Sequence, residues 1–234
     1  SENIQTMLNK IIKINLIIVF SFFMCVNYTI AETNIDSVTS TENLNPFDWE
    51  VISGVDDILK YDNTNSMSKN ARKKLSEGND LYVAGVSQMS AKNYAKAIEL
   101  FSEALKKYKR SKISEHAYNY IYINMSLSYA NIGTKKDNAV AARFISLVTS
   151  KVDKEKNWLY NLSIANNLIG DHQKAIENLS QSIRLDVNYF QAYITLEAIY
   201  RNNNNKKNAD KVRDRMESAE AFLIKKHQKE KKKR

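Results

Sequence analysis

Residues 94–105 read Tyr94-Ala-Lys-Ala-Ile-Glu-Leu-Phe-Ser-Glu-Ala-Leu, and residues 170–183 read Gly170-Asp-His-Gln-Lys-Ala-Ile-Glu-Asn-Leu-Ser-Gln-Ser-Ile. Each runs Ala-Ile-Glu, then an apolar residue, then a small residue three further on. Self-similarity of this kind begins near Lys69, and a repeat detected in a chain governs how the rest of it is read. The surrounding composition fits helices. The 234 residues include only five glycines and one proline, Pro46. Sheets need many turn residues of those two kinds, whereas helices joined by short polar turns do not. With 43% hydrophobic residues the chain can bury a core. The fold class is all-α.

At these two segments the chain resembles the tetratricopeptide repeat, a helix–turn–helix unit of about 34 residues with preferred residue types at fixed places. Laying that register on the chain gives four units, starting near Gly78, Asn119, Lys156 and Phe190. Leu81, Ala84 and Gly85 fill the first-helix places of the first unit, and Ala97, Phe101 and Ala104 those of its second helix. The third matches through Leu159, Leu162, Ser163, Gly170, Ala175, Leu179 and Ser182. The second matches with Tyr122, Ser126, Tyr129 and Gly133, then needs about three extra residues in its turn before Ala141, Ile145 and Val148 fall into place. The fourth has Tyr193, Leu196, Tyr200 and Ala209, then departs, with Arg213 where an aromatic or aliphatic residue is expected. From Ala209 the apolar residues Val212, Met216, Ala219 and Leu223 continue on one helical face, which reads as a long terminal helix capping a stack. The resemblance covers residues 78–216. It implies a right-handed α-solenoid of antiparallel helix pairs, about four units, closed by a C-terminal capping helix. Small residues let the helices of a pair approach, large ones fill the space to the next pair, and three or more pairs must stack to bury their faces.

The N-terminal part reads differently. From Met7, Lys10 and Lys13 precede the apolar stretch Leu16–Val26, and Thr29-Ile30-Ala31 places small residues before a cleavage point after Ala31. This eleven-residue stretch matches a signal-peptide core and falls short of the roughly 20 that span a bilayer as a helix. The other reading is an uncleaved anchor over about Ile11–Val26. Cys25, the only cysteine, follows Phe22-Phe23-Met24 rather than a small residue, which disfavours lipidation; cleavage would leave no thiol for disulfides, catalysis or zinc. Residues 32–44 are a polar linker. Residues 45–77 form an N-terminal helical segment, with Asn45-Pro46 as a helix start and Trp49, Ile52, Val55 and Leu59 at helical spacing to about Lys60. This segment could also pack across the groove. Residues 217–234 are the end of the capping helix and a basic tail.

The net charge of +9 is concentrated at that tail. Lys225, Lys226, Lys229, Lys231, Lys232, Lys233 and Arg234 against Glu230 supply +6 of it. The run is either a solvated end or a tether to anionic lipid or another polyanion. It has no interleaved aromatics, so specific nucleic-acid recognition is not supported.

Nothing in the sequence assembles chemistry. His116, His172 and His227 lie in separate units with no i,i+4 pair, so no metal site is expected. No Gly-x-Ser-x-Gly elbow or phosphate-cradling loop occurs. Asp56 and Asp57 are adjacent and so point in different directions from a helix. The sequons at Asn124, Asn161 and Asn178 fall inside expected helices. No catalytic residue and no cofactor are assigned, and the chain is read as a non-enzyme.

What the resemblance offers instead is a concave face lined by the first helix of each unit, which in that family commonly holds an extended peptide. The matching places are Asn79, Tyr82, Val86 and Met89; Tyr120, Ile123, Asn124 and Leu127; Asn157, Tyr160, Asn161 and Asn167; and Gln191, Ile194 and Thr195. The candidate binding set within them is Tyr82, Met89, Tyr120, Asn124, Asn157, Tyr160, Asn161, Asn167, Gln191 and Ile194. Tyrosines and amides with almost no charge suit main-chain recognition, because an amide bonds both N–H and C=O. About half of these tyrosines are expected to be buried between helices instead. One subclass of the family grips C-terminal carboxylates with Lys, Asn, Asn, Lys and Arg. Here those places hold Tyr82, Val86, Asn124, Asn157 and Asn161, and only Asn124 matches. The expected function is a protein-binding scaffold or assembly factor, exported and periplasmic or in the cell envelope. Other readings are a membrane-tethered part of a larger envelope machine, and a secreted protein that meets a host.

Overall fold

Polar caps and αL residues mark where each helix stops and the next begins. A computed structural model describes residues 46–48, 66–148 and 155–232 of the chain. The leader with Cys25, the 32–44 linker, the run from Trp49 to Lys60 with Asp56 and Asp57, and the final Lys233-Arg234 lie outside the described residues. Among the described residues there are eight helices and no strand: α1 Lys69–Ser90, α2 Tyr94–Ser111, α3 Glu115–Ile132, α4 Lys135–Leu147, α5 Lys156–Leu168, α6 His172–Leu185, α7 Phe190–Asn202 and α8 Lys206–Lys231. All of them belong to one compact unit, Pro46–Arg234.

Three of the turns share one construction. Ala91–Asn93, Ile169–Asp171 and Asn203–Asn205 join α1 to α2, α5 to α6 and α7 to α8. The middle residue of each has positive φ: Lys92 at 59°, Gly170 at 90° and Asn204 at 57°. Its N–H donates three residues back, and the next N–H donates five back: Asn93 to the Gln88 carbonyl, Asp171 to Asn166 and Asn205 to Tyr200, each at 2.8 Å. This is the Schellman arrangement, which satisfies carbonyls that a helix end leaves free. In two of the three, that residue's side chain also caps the following helix. The Asp171 carboxylate accepts from Lys174 N–H at 3.1 Å, and the Asn205 side chain from Asn208 N–H at 3.3 Å.

Asn93, Asp171 and Asn205 each stand four residues before a fully buried alanine: Ala97, Ala175 and Ala209. In the remaining pair the N-cap is Thr134 and the buried alanine is Ala141, seven residues on. The three extra residues of that unit were expected in its turn. They are in the helix: Gly133 (φ 79°) ends α3, Thr134 starts α4, and α4 gains almost one turn at its N-terminus.

Each helix packs on its sequence neighbour. α1 lies on α2, α3 on α4, α5 on α6 and α7 on α8; α2 also meets α3, α6 meets α7, and α3 reaches α1 and α5. Small residues sit at the close contacts. A Cβ added at Gly85 would meet the Phe101 ring at 2.6 Å, and one at Gly78 would meet the Tyr108 ring at 2.6 Å. Ala97, Ala104, Ala141, Ala175 and Ala209 are fully buried. The Ser182 hydroxyl, also buried, donates to the Lys156 carbonyl at 2.8 Å. Leu81, read as a space-filling residue, is only half-buried, whereas Phe101, Leu159 and Tyr193 are buried.

Two departures from the sequence reading have simple causes. The boundary drawn at 77/78 falls inside α1, which Ser68 caps through the Ala71 N–H at 3.2 Å and which already buries Leu75. Arg213 occupies an expected apolar place because it turns outward to Glu197. That carboxylate, 8% exposed in α7, also accepts from Arg201 at 2.7 Å. An ion pair therefore ties α7 to α8. Burial along α8 fades after Val212, with Met216, Ala219 and Leu223 half-exposed.

Glu77 of α1 binds Lys107 of α2, and Lys74 at 3.1 Å. The Lys107 hydrogen bond, followed by that of Lys74, lowers its carboxyl from 4.5 to about 2. A carboxylate with a depressed folded-state pKa contributes stability above its unfolded value, and loses it as pH falls through the folded one. Wild-type Tm should therefore drop between about pH 4.5 and 2 by more than that of Glu77→Gln. The effect should shrink in high salt, since both partners are partly solvated. Thermal melts at about pH 5 and pH 2.5 check this; equal drops in the two proteins would remove Glu77 from the acid response.

Candidate functional site

The first helix of each pair carries the residues expected to line a binding face, and the structure places most of them inside. Tyr82, Met89, Tyr120, Asn124, Tyr160 and Asn161 are buried; Asn157, Asn167, Gln191 and Ile194 are half-buried. All three candidate tyrosines are thus interior, more than the half expected. Two of them do more than pack, because the Tyr82 and Tyr160 hydroxyls hydrogen-bond between helices.

At one end, the Asn124 amide of α3 donates to the Tyr82 hydroxyl of α1 at 2.9 Å. The Tyr82 ring rests on Phe101 with centroids 5.8 Å apart. Beside it the Tyr108 hydroxyl donates to Asn79 at 2.7 Å, and burial pushes the Tyr108 phenol up. In the middle, Tyr120 of α3 meets Trp158 of α5 edge-on, centroids 4.9 Å apart and planes at 82°. Trp158 is fully buried and was not among the candidate residues.

At the other end three candidate places come together. The Gln191 amide donates to the Tyr160 hydroxyl at 3.1 Å, and the Thr195 hydroxyl lies 3.3 Å from the same oxygen. Tyr160 belongs to α5, Gln191 and Thr195 to α7. This cluster is turned toward main chain. Tyr160 OH donates to the Asp48 carbonyl at 2.7 Å, and Thr195 OH donates to the Pro46 carbonyl. Phe47, between them, packs against the core. The Asp48 carboxylate reaches the surroundings of Tyr94, whose phenol is raised first by burial and then by that charge. Pro46 and Phe47 form a turn rather than the expected helix start.

The electrostatics of the α5–α7 end add one cation. Lys156 pairs with Asp186 at 2.5 Å and stands 4.9 Å above the Tyr189 ring, which packs on Tyr160 at 5.4 Å. Burial works to raise the Asp186 carboxyl; Lys156 and the Asn188 N–H outweigh it and hold the group low. The carboxamide oxygens of Asn124 and Asn157 are buried and accept no hydrogen bond.

Among the described residues, no three His, Cys, Asp or Glu side chains converge as a metal site. His172 is an exposed first residue of α6, 2.9 Å from Asn167. Asn124, Asn161 and Asn178, the sequon asparagines, are buried in α3, α5 and α6. A cleft of about 300 Å³ opens among α4, α5 and α6, lined by Ile145, Val148, Leu162, Asn166, Lys174 and Asn178, and contains none of the candidate residues. No described helix is long and apolar enough to cross a membrane.

Sequence reasoning reached Tyr160, Gln191 and Thr195 through their places in the register and left open whether residues 45–77 pack across them; of that segment, Pro46 and Asp48 meet them. Pro46 was visible as the sole proline, a residue that offers a carbonyl and no N–H. No protein-family model and no curated protein matches this chain.

Proposed function

We propose that the chain is a tetratricopeptide-type α-solenoid scaffold, exported to the cell envelope, that binds a partner protein through the face made by α1, α3, α5 and α7. The observation that carries this reading is the uptake of two main-chain carbonyls by Tyr160 and Thr195. Hydroxyls and amides aimed at backbone give affinity without demanding particular side chains, and the tyrosines supply contact area at low entropy cost. Three turns with the same hydrogen bonds, followed by alanine at the same offset, support a repeated unit. Such units stack to share their cores and expose a common face for binding. The site reads as a recognition surface because hydroxyls and an amide, rather than an acid–base pair, face the main-chain carbonyls.

Site-specific photo-crosslinking in the native host tests the reading. A benzophenone amino acid at half-buried Gln191 or Asn157 should trap one discrete partner, and the same probe at exposed Glu99 or Glu177 should not. A partner trapped equally at all four positions would move the interface off this face.

A second reading is favoured by one observation. Near the end of α8, Phe222 is 69% and Ile224 44% exposed, directly before the basic run that starts at Lys225. Apolar side chains beside clustered lysines are the make-up of a membrane-surface contact, worth about 1 kcal/mol per basic residue on anionic lipid. Co-flotation with phosphatidylglycerol vesicles should occur at low salt, weaken as salt rises, and fall further in Phe222→Ser/Ile224→Ser. Binding indifferent to salt and to those changes would exclude this contact.

A further inference from the structure

Resting on the reading of this face as a main-chain binding site, we infer that Pro46-Phe47-Asp48 is an internal ligand of the α5–α7 end, which a partner must displace. The segment meets the face as a ligand would. It presents two carbonyls, from Pro46 and Asp48, to two hydroxyls, from Thr195 and Tyr160. It puts one aromatic side chain, Phe47, against the core between them. Pro46 itself brings no N–H that the face would have to satisfy. The contact is also distant along the chain: the two bonds span 112 and 149 residues. They are therefore no part of the neighbour-on-neighbour packing of the helices.

The receiving side is preorganised. Tyr160 and Thr195 are fully buried, and Gln191 donates to Tyr160 OH, which orients that hydroxyl's own proton toward the Asp48 carbonyl. The Thr195 hydroxyl also lies 2.9 Å from the Gln191 carbonyl, within its own helix. If the segment leaves, Thr195 keeps an acceptor. Tyr160 OH remains within 3.3 Å of Thr195. Release therefore does not strand a buried donor, which would cost about 1–3 kcal/mol. A contact that either side can give up at low cost is suited to exchange. The class of external ligand follows from the internal one: a Pro-aromatic turn offering carbonyls two residues apart. A partner segment longer than three residues could also bring N–H donors to Asn124 and Asn157, whose carboxamide oxygens the internal segment does not serve.

Competition measures this directly. The probe is a fluorescein-labelled peptide of residues 42–50, Glu-Asn-Leu-Asn-Pro-Phe-Asp-Trp-Glu, added to the full chain and followed by anisotropy. A tethered ligand works at an effective concentration on the order of millimolar, so it should depress the apparent affinity of the free peptide. The variant Pro46→Gly/Phe47→Ala/Asp48→Gly should bind the peptide about tenfold or more tightly than wild type. Adding Tyr160→Phe and Thr195→Val should abolish that gain, while Thr195→Ser, which keeps the hydroxyl, should preserve it. Far-UV circular dichroism confirms that each variant stays helical. Equal peptide binding by wild type and the opened variant, or a gain that survives loss of both hydroxyls, overturns the inference. Failure here with crosslinks still forming at Gln191 would sink the internal ligand alone. Peptide exchange with no crosslinked partner would instead sink the scaffold reading.

Discussion

Replacing Trp158 with alanine is expected to lower stability by about 3–5 kcal/mol, the range for removing a large buried aromatic side chain. The size follows from where the side chain sits. Trp158 is fully buried near the start of α5, and its ring meets Tyr120 of α3 edge-on. It is therefore the aromatic joint between two consecutive pairs, and truncation opens a cavity that neither helix can close alone. An edge-to-face pair adds about 0.5–1.5 kcal/mol beyond area burial. Trp158→Phe should consequently recover much of the loss, since it keeps a ring against Tyr120. Urea denaturation followed at 222 nm reads both variants. A loss under about 1 kcal/mol for the alanine variant would mean that α3 and α5 do not depend on this contact.

Gly85→Ala carries the second large expected effect, and here the sign is the informative part. Glycine within a helix is worse than alanine by about 1 kcal/mol, so an unhindered replacement in α1 would stabilise. At Gly85 the added methyl would lie 2.6 Å from one Phe101 ring carbon and 2.7 Å from the next. Phe101 has no solvent-exposed surface and also packs against Tyr82, so the ring has no open space to swing into. Overpacking typically costs about 1–3 kcal/mol and occasionally more, which outweighs the propensity gain. A net loss of about 2 kcal/mol is expected, with Phe101→Leu in the same chain relieving part of it. That double variant should be more stable than the sum of the single losses. Additive losses would show that the methyl is accommodated some other way.

The residues that announced the helices were those whose type reports their surroundings. The α5 and α7 starts, Lys156 and Phe190, coincide with the unit starts read from the register, because large and small apolar residues alternate there at helical spacing. Gly170 and Gly133 marked turns, since glycine tolerates the positive φ that both adopt. Lys92 adopts the same conformation, at 59°, and its identity gave no hint of it. What sets that turn is the pair of hydrogen bonds closing α1. The extra turn of α4 was equally hidden. Lys135, Lys136 and Asp137 are polar residues that read alike in a loop or on a solvated helical face, and only the Thr134 cap decides between them.

The candidate face was legible in outline and not in depth. Register places select side chains that point off one side of a helix, which is why Tyr160, Gln191 and Thr195 were found together. Burial depends on what comes to lie over that side, and the segment that does so is more than a hundred residues away in the chain. No local pattern encodes that distance. Conversely, Arg213 was legible only as a departure from an expected apolar place, and its pairing with Glu197 follows from how α7 and α8 pack.

The link from Pro46 and Asp48 to α7 and α5 also bears on how the chain folds. Helices that touch mainly their sequence neighbours close short loops, and such chains fold quickly and can open from either end piece by piece. Two hydrogen bonds that bridge 112 and 149 residues add the opposite kind of contact, late to form and costly in loop entropy. While it is made, opening of the C-terminal pair must also break its hydrogen bonds to residues that precede α1 in the chain. If the segment is displaced as proposed, that coupling goes with it.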